Sequence, residues 1–152
     1  MRKRIVKLTI ALFIIVTLVL ITKAVCFPAP PADMTAVETV EYYFDQFDQG
    51  DRFGMNSVVI LDKYFYSYKL GHLNYGKLIS CEEAYTNSPL FEDIGYQDAY
   101  DTTVVDVEFE ISYDEDAGAT GEFQNGTNAW HYYLVKEKET SDWKIIKWGF
   151  YV

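Results

Sequence analysis

Apolar and polar positions change their period several times along the 152-residue chain. From Ile5 through Leu8 and Phe13 to Thr22 there is no polar face. The stretch is 18 residues with a single charge, Lys7. As a helix it would span about 27 Å, close to the hydrocarbon thickness of a bilayer. Lys7 can extend its ammonium to the interface. Counted from Leu8 the run is 15 residues, the length of a signal-peptide core. No A-x-A cleavage motif follows it. Cys26 is preceded by Lys23, Ala24 and Val25, which do not match the Leu-small-small pattern of lipoproteins. An uncleaved transmembrane helix within residues 1–25 is therefore expected ahead of a cleaved or lipidated form. "CFPAPPAD" follows, and its prolines predict an extended, semi-rigid linker over 26–34.

From Thr35 the period becomes helical. "TAVE" has the form of a capping box. Val37, Val40, Phe44 and Phe47 fall on one face, and Gly50 is a stop signal. A shorter helix is predicted over about 52–61. Residues 62–101 have little regularity. They suggest a strand at Lys77 to Glu82, followed by a turn-rich stretch broken by Pro89 and Gly95. From Thr103 the period is two: Val105, Val107, Phe109, Ile111 and Tyr113 alternate with Asp106, Glu108, Glu110 and Ser112. This predicts a half-buried strand with its acids in water. "TNAWHYYLVKEK" and "WKIIKWGFYV" predict two more strands, and the connections make an antiparallel meander. The last strand is apolar on both faces, with Ile145 and Lys147 on one and Ile146 and Trp148 on the other. It is expected to be central or nearly so, covered by the long helix on one side and by a loop or partner on the other.

Charge sharpens this picture. Every acidic residue lies at or after Asp33, so the region from Asp33 onward holds 8 basic against 23 acidic residues, a net of −15. Such a surface repels nucleic acid and anionic lipid. Arg2, Lys3, Arg4 and Lys7 precede the apolar run, so the positive-inside rule keeps them in the cytoplasm and places residues 35–152 outside. Two cysteines, Cys26 and Cys81, do not make a disulfide framework.

Three stretches carry a family likeness: "ETVEYYFDQFDQGD", "YDTTVVDVEFEISY" and "WHYYLVKEKETSDWKIIKWGF". With these the chain resembles, over roughly 35–152, an uncharacterised family of small extracytoplasmic bacterial domains. That family sits within the nuclear-transport-factor-two-like, or cystatin-like, superfold. The resemblance implies an α+β fold: a curved antiparallel sheet wrapped around the N-terminal helix, forming a cone with a pocket at its open end. It implies no catalytic residue, because the superfold hosts isomerases, dehydratases and transport factors alike.

Candidate chemistry is sparse. Tyr43, Tyr64, Tyr66, Trp130, His131 and Tyr132 are the set that could line a cone pocket, by ring stacking and hydroxyl contacts. His131 would be a general base if its face lined that pocket. "DEDAGATGE" lacks the third ligand, the turn glycine and the closing Glu of a calcium loop, and two distant histidines make no metal signature. No metal, cofactor or catalytic set is expected. The reading that follows is a membrane-tethered binding module for a small molecule, an envelope component or a protein. An isomerase or dehydratase using the pocket, and a homodimeric assembly domain, are the alternatives.

Overall fold

A computed structural model of the chain describes Phe13, Ile14, Thr17 and residues 29–60, 70–86, 88–114 and 125–150. The expected membrane segment thus lies almost wholly outside the described residues. Phe13, Ile14 and Thr17 are helical, with the Thr17 hydroxyl donating to the Phe13 carbonyl. No helix among the described residues is long and apolar enough to cross a membrane.

Helix α1 spans Ala36–Asp48, and its capping box forms. The Glu38 amide donates to Thr35 Oγ1 at 3.2 Å, and the Thr35 amide donates to Glu38 Oε2 at 2.7 Å. Two of the four free amides of the first turn are thereby satisfied. The buried face is Ala36, Thr39, Val40, Tyr43, Phe44 and Phe47. Val37 is only partly buried and Tyr43 lies deeper than the apolar spacing alone suggests. At the other end the Gly50 amide donates to the Phe47 carbonyl and the Asp51 amide to the Gln46 carbonyl. This double closure needs a left-handed residue, and Gly50 supplies it at φ +68° without a Cβ penalty. Asp51 then caps α2, Arg52–Ser57, accepting from the amides of Phe53 and Gly54.

Helix α2 stops at Ser57 rather than near 61. Val58, Val59 and Ile60 are β-branched; Val58 caps the helix in a turn, and Val59 makes a bridge to Ile145 instead. The Ile145 amide donates to the Val58 carbonyl at 2.8 Å and the Ile60 amide to the Ile145 carbonyl at 3.1 Å, a short parallel bridge.

Four antiparallel strands form one sheet in sequence order: β1 Leu73–Thr86, β2 Asp101–Tyr113, β3 Gly126–Lys136 and β4 Lys144–Phe150. The three-strand meander is as the alternation predicts. Strand β1 is much longer than the Lys77-to-Glu82 stretch, and the reason is physical. Its pairing with β2 shifts register three times, and each shift resets the alternation. The inward positions are therefore Gly76, Leu78 and Cys81, a spacing no single period describes.

The expectation for the last strand is corrected in two ways. β4 lies at the edge of the sheet, not near its centre. Tyr133 pairs with Lys147 but Leu134 with Ile145, so Ile146 is an inserted residue. The bulge puts Ile145 and Trp148 together on one face and Ile146 on the other, against strict alternation.

The inner face of the sheet packs on α1. Val105, Val107, Phe109, Ile111, Trp130, Tyr132, Leu134 and Ile145 are buried there with Tyr43, Phe44 and Phe47. The closest approach is at β1, where a Cβ on Gly76 would lie 2.4 Å from the Phe47 ring. Asp48 Oδ1 fixes the same point by accepting from the Gly76 amide at 2.9 Å. The outer face carries a second, smaller cluster of Phe91, Val104, Val135 and Ile146. Phe91 belongs to α3, Pro89–Asp93, formed where only turns are expected. Ser88 caps it, Pro89 occupies its first turn, and burial of Phe91 holds it to the sheet.

Candidate functional site

The register between strands decides what meets on the outer face. Glu82, Asp106, His131 and Gly149 stand in one row across the four strands. Tyr85, Val104, Tyr133 and Lys147 stand in the next. Side chains in these rows share a face because neighbouring residues of a strand point to opposite sides.

Asp106 and His131 are joined directly, Oδ1 to Nδ1. Their side chains are 30% and 12% exposed. A carboxylate only accepts, so Nδ1 carries the proton. The Tyr85 ring meets the imidazole edge-on at 5.9 Å, and the Tyr133 ring at 6.3 Å. Tyr133 in turn meets Phe91 of α3 at 5.9 Å. Burial pushes the Tyr133 hydroxyl up, and Tyr85, which hydrogen-bonds it, and Asp106 add to this. The group is an oriented imidazole beside two phenols at the border between the covered and open halves of the outer face. It can donate, accept and stack.

A family model with the description "Domain of unknown function (DUF4829)" matches residues 37–149. The chain belongs to this family. The matched span opens in the first turn of α1 and closes in β4, so it holds both faces of the sheet and the Asp106–His131 pair. Nothing matches among curated proteins or among solved structures.

Within this DUF4829 domain the six residues read as pocket candidates do not come together as one set. Tyr43, Trp130 and Tyr132 lie under α1, almost fully buried. Tyr43 meets Tyr132 and Trp148 at 5.9 Å each, and Tyr132 stacks on Trp148 at 5.7 Å. His131 points to the opposite side. Tyr64 and Tyr66 lie outside the described residues. The Tyr132 hydroxyl is held well above its usual pKa by burial, with Tyr43 and Cys81 adding to the effect. It has no hydrogen-bond partner among the described residues. The Cys81 thiol is pushed up to about 12, first by burial and then by Glu41. It stays protonated at neutral pH and is no nucleophile.

The other candidates are accounted for locally. His72 pairs with Asp114 at 3.0 Å on the surface, where β1 starts and β2 ends. Asn125 is occupied as a brace: its Oδ1 accepts from the Tyr113 amide at 2.7 Å and its Nδ2 donates to the Tyr113 carbonyl. No group of three or more His, Cys, Asp or Glu among the described residues is placed to hold a metal ion.

Two open grooves lie among the described residues. One, of about 610 Å³, lies between the end of α2 and the β3–β4 turn. Lys144 projects into it and donates to the Ser57 carbonyl at 2.8 Å. Half-burial lowers the Lys144 pKa, and Asp142 opposes that shift. The other, of about 400 Å³, lies between α3 and the start of β2. Neither includes His131, Tyr43, Trp130 or Tyr132.

Asp106 and Tyr85 are the residues of this group that sequence reasoning left out of the site. A signal existed for the face that His131 takes. His131 and Tyr132 are neighbours on a strand and must face opposite ways, while His131 and Tyr133 share a face. Tyr85 had no such signal, because it follows a register shift in β1.

Proposed function

We propose that the chain is a membrane-tethered extracytoplasmic binding module that works through the outer side of its sheet. One observation carries this reading: the inner side is filled. Tyr43, Phe44, Phe109, Trp130 and Tyr132 pack there ring against ring, with Phe44 and Phe109 only 4.9 Å apart. Asp106 and His131, both partly exposed, are on the other side. The order helix, short helix and antiparallel sheet supports a nuclear-transport-factor-two-like cone as the parent architecture. The apolar segment from Ile5 to Thr22 with its basic flank supports a tether with the N-terminus in the cytoplasm. The acidic surface speaks against nucleic acid as a partner.

The isomerase or dehydratase reading has lost its support. Its base would have been His131, which faces away from α1, and the buried polar side chains among the described residues are Thr39, Thr103 and Asn128. None of them is a carboxylate. Homodimerisation keeps one favourable observation: β4 is the last strand in the sheet order, bridged at Ile145 by the Val58–Ile60 segment, and an edge strand can pair with a second copy.

The test is a thermal-shift screen of the full chain in detergent micelles, against cell-wall fragments and divalent ions. A ligand held at 100 times its Kd stabilises the folded state by about 2.7 kcal/mol. Turnover of a carbonyl or hydroxy-acid substrate, abolished by one substitution, would overturn the reading. Extraction of the chain from membranes by alkaline carbonate would overturn the tether, and sedimentation reports the dimer.

A further inference from the structure

We infer that the groove between α3 and the start of β2 binds a pyranose ring, uncharged or amine-bearing, of an extracellular glycan. The inference rests on the binding-module reading and names the ligand class of a site apart from the Asp106–His131 pair. The groove holds about 400 Å³, which fits a sugar ring, and its floor is the buried Phe91 ring. Tyr96 and Tyr100 line it, and Tyr100 is 57% exposed. An aromatic face left in water beside a groove offers a stacking platform for the C–H face of a pyranose.

The polar lining has a consistent chemistry. Glu92 and Asp101 are carboxylates, Gln97 offers an amide, and no Lys, Arg or His among the described residues lines the groove. Carboxylates accept from vicinal hydroxyls or from an ammonium, and they repel uronates, phosphates and sulfates. Overall charge acts in the same direction, since the region from Asp33 onward is at −15.

The frame around the groove is built before any ligand arrives. The Tyr96 amide donates to the Phe91 carbonyl at 2.7 Å and the Ala99 amide to the Tyr96 carbonyl. The Tyr100 amide donates to the Glu137 carbonyl, tying the segment to the end of β3. The Thr102 amide donates a hydrogen bond to Asp101 Oδ1 at 2.9 Å. A preformed frame lowers the ordering cost of binding.

The experiment is calorimetric titration of the full chain in detergent micelles with three tetrasaccharides, of N-acetylglucosamine, glucosamine and galacturonic acid. Binding of the first two and not the third is expected, and the glucosamine tetramer should weaken with added salt. Tyr100→Ala should weaken both by about tenfold, and Tyr100→Phe should retain them. Tyr100 is exposed, so Tyr100→Ala should keep its circular dichroism spectrum and leave a folded protein to compare. Glu92→Gln combined with Asp101→Asn should weaken the glucosamine tetramer more than the acetylated one. Amide NMR shifts should concentrate in residues 88–102. The assignment is overturned if neither tetramer binds the folded protein, or if galacturonate binds equally. It is also overturned if tetramethylammonium alone competes fully, or if the shifts fall at Ser57 and Lys144. If sugars fail while the thermal-shift screen still finds a ligand, the glycan assignment falls and the binding-module reading stands.

Discussion

At the scale of single residues, the Asp106–His131 pair is the most constrained polar feature on the sheet. His131 is only 12% exposed, so its ring nitrogen has little access to water if the carboxylate is removed. Asp106→Ala should cost about 1–3 kcal/mol, the usual penalty for an unmade bond at a buried donor. Urea denaturation at neutral pH measures it. The variant should also lose its tautomer preference, which nitrogen-15 shifts of the imidazole report. A ring that keeps Nδ1 protonated in the variant would show that Asp106 does not set the tautomer. The pair was not legible from the sequence, although both residues were in view. Joining them requires the register that sets Asp106 opposite His131, and register depends on turns and bulges distributed over two strands.

At the scale of elements, two contacts hold the layers. The first is α1 on β1, where Phe47 covers Gly76. Gly76→Ala forces a methyl into the ring and should destabilise by about 1–3 kcal/mol, as overpacking usually does. A urea midpoint equal to that of the unaltered chain would count against so tight an approach. The second contact is α3 on the outer face, through Phe91 and the bulged Ile146. Ile146→Ala should cost about 2–4 kcal/mol. Hydrogen exchange should then quicken in 88–100 while α1 keeps its protection. Equal loosening of both would mean that the two clusters are one cooperative core. The elements themselves were unevenly legible. Helix α1 and strand β2 could be read because capping and alternation are local signals within a few residues. β1 and α3 could not, because three bulges scramble the alternation of the first and only a tertiary contact, Phe91 on the sheet, stabilises the second.

At the scale of the whole molecule, buried proton-bearing groups set a limit to stability in alkali. The Cys81 thiol rises from 9.0 to about 12 and the Tyr113 hydroxyl from 10.0 to about 12, in each case chiefly through burial. Tyr132 is raised well above 10.0 by the same cause. The folded chain therefore retains protons that the unfolded chain releases. Their stabilising contribution is complete below about pH 9 and is lost as pH rises toward 12. Lys144 acts in the opposite sense up to its ordinary 10.5, because its folded pKa is lowered. The net fall should be steepest above that value. Urea midpoints at about pH 8 and about pH 11 should differ, with the higher pH less stable. A midpoint that does not fall would mean these groups gain solvent at no cost.

The sequence by itself determined the class of fold, the capped first helix, the alternating central strand and the meander. It also determined the separation of a basic apolar segment from an acidic domain. Each rests on residues close together in the chain, where period, capping and charge act directly. Only the tertiary structure decided which face each aromatic takes, that β4 is an edge, that α3 exists, and that Asp106 meets His131 on the side away from α1. These depend on register and on contacts between distant segments. A single inserted residue such as Ile146 reverses the face of every position beyond it, and nothing local in "WKIIKWGF" marks where that insertion falls.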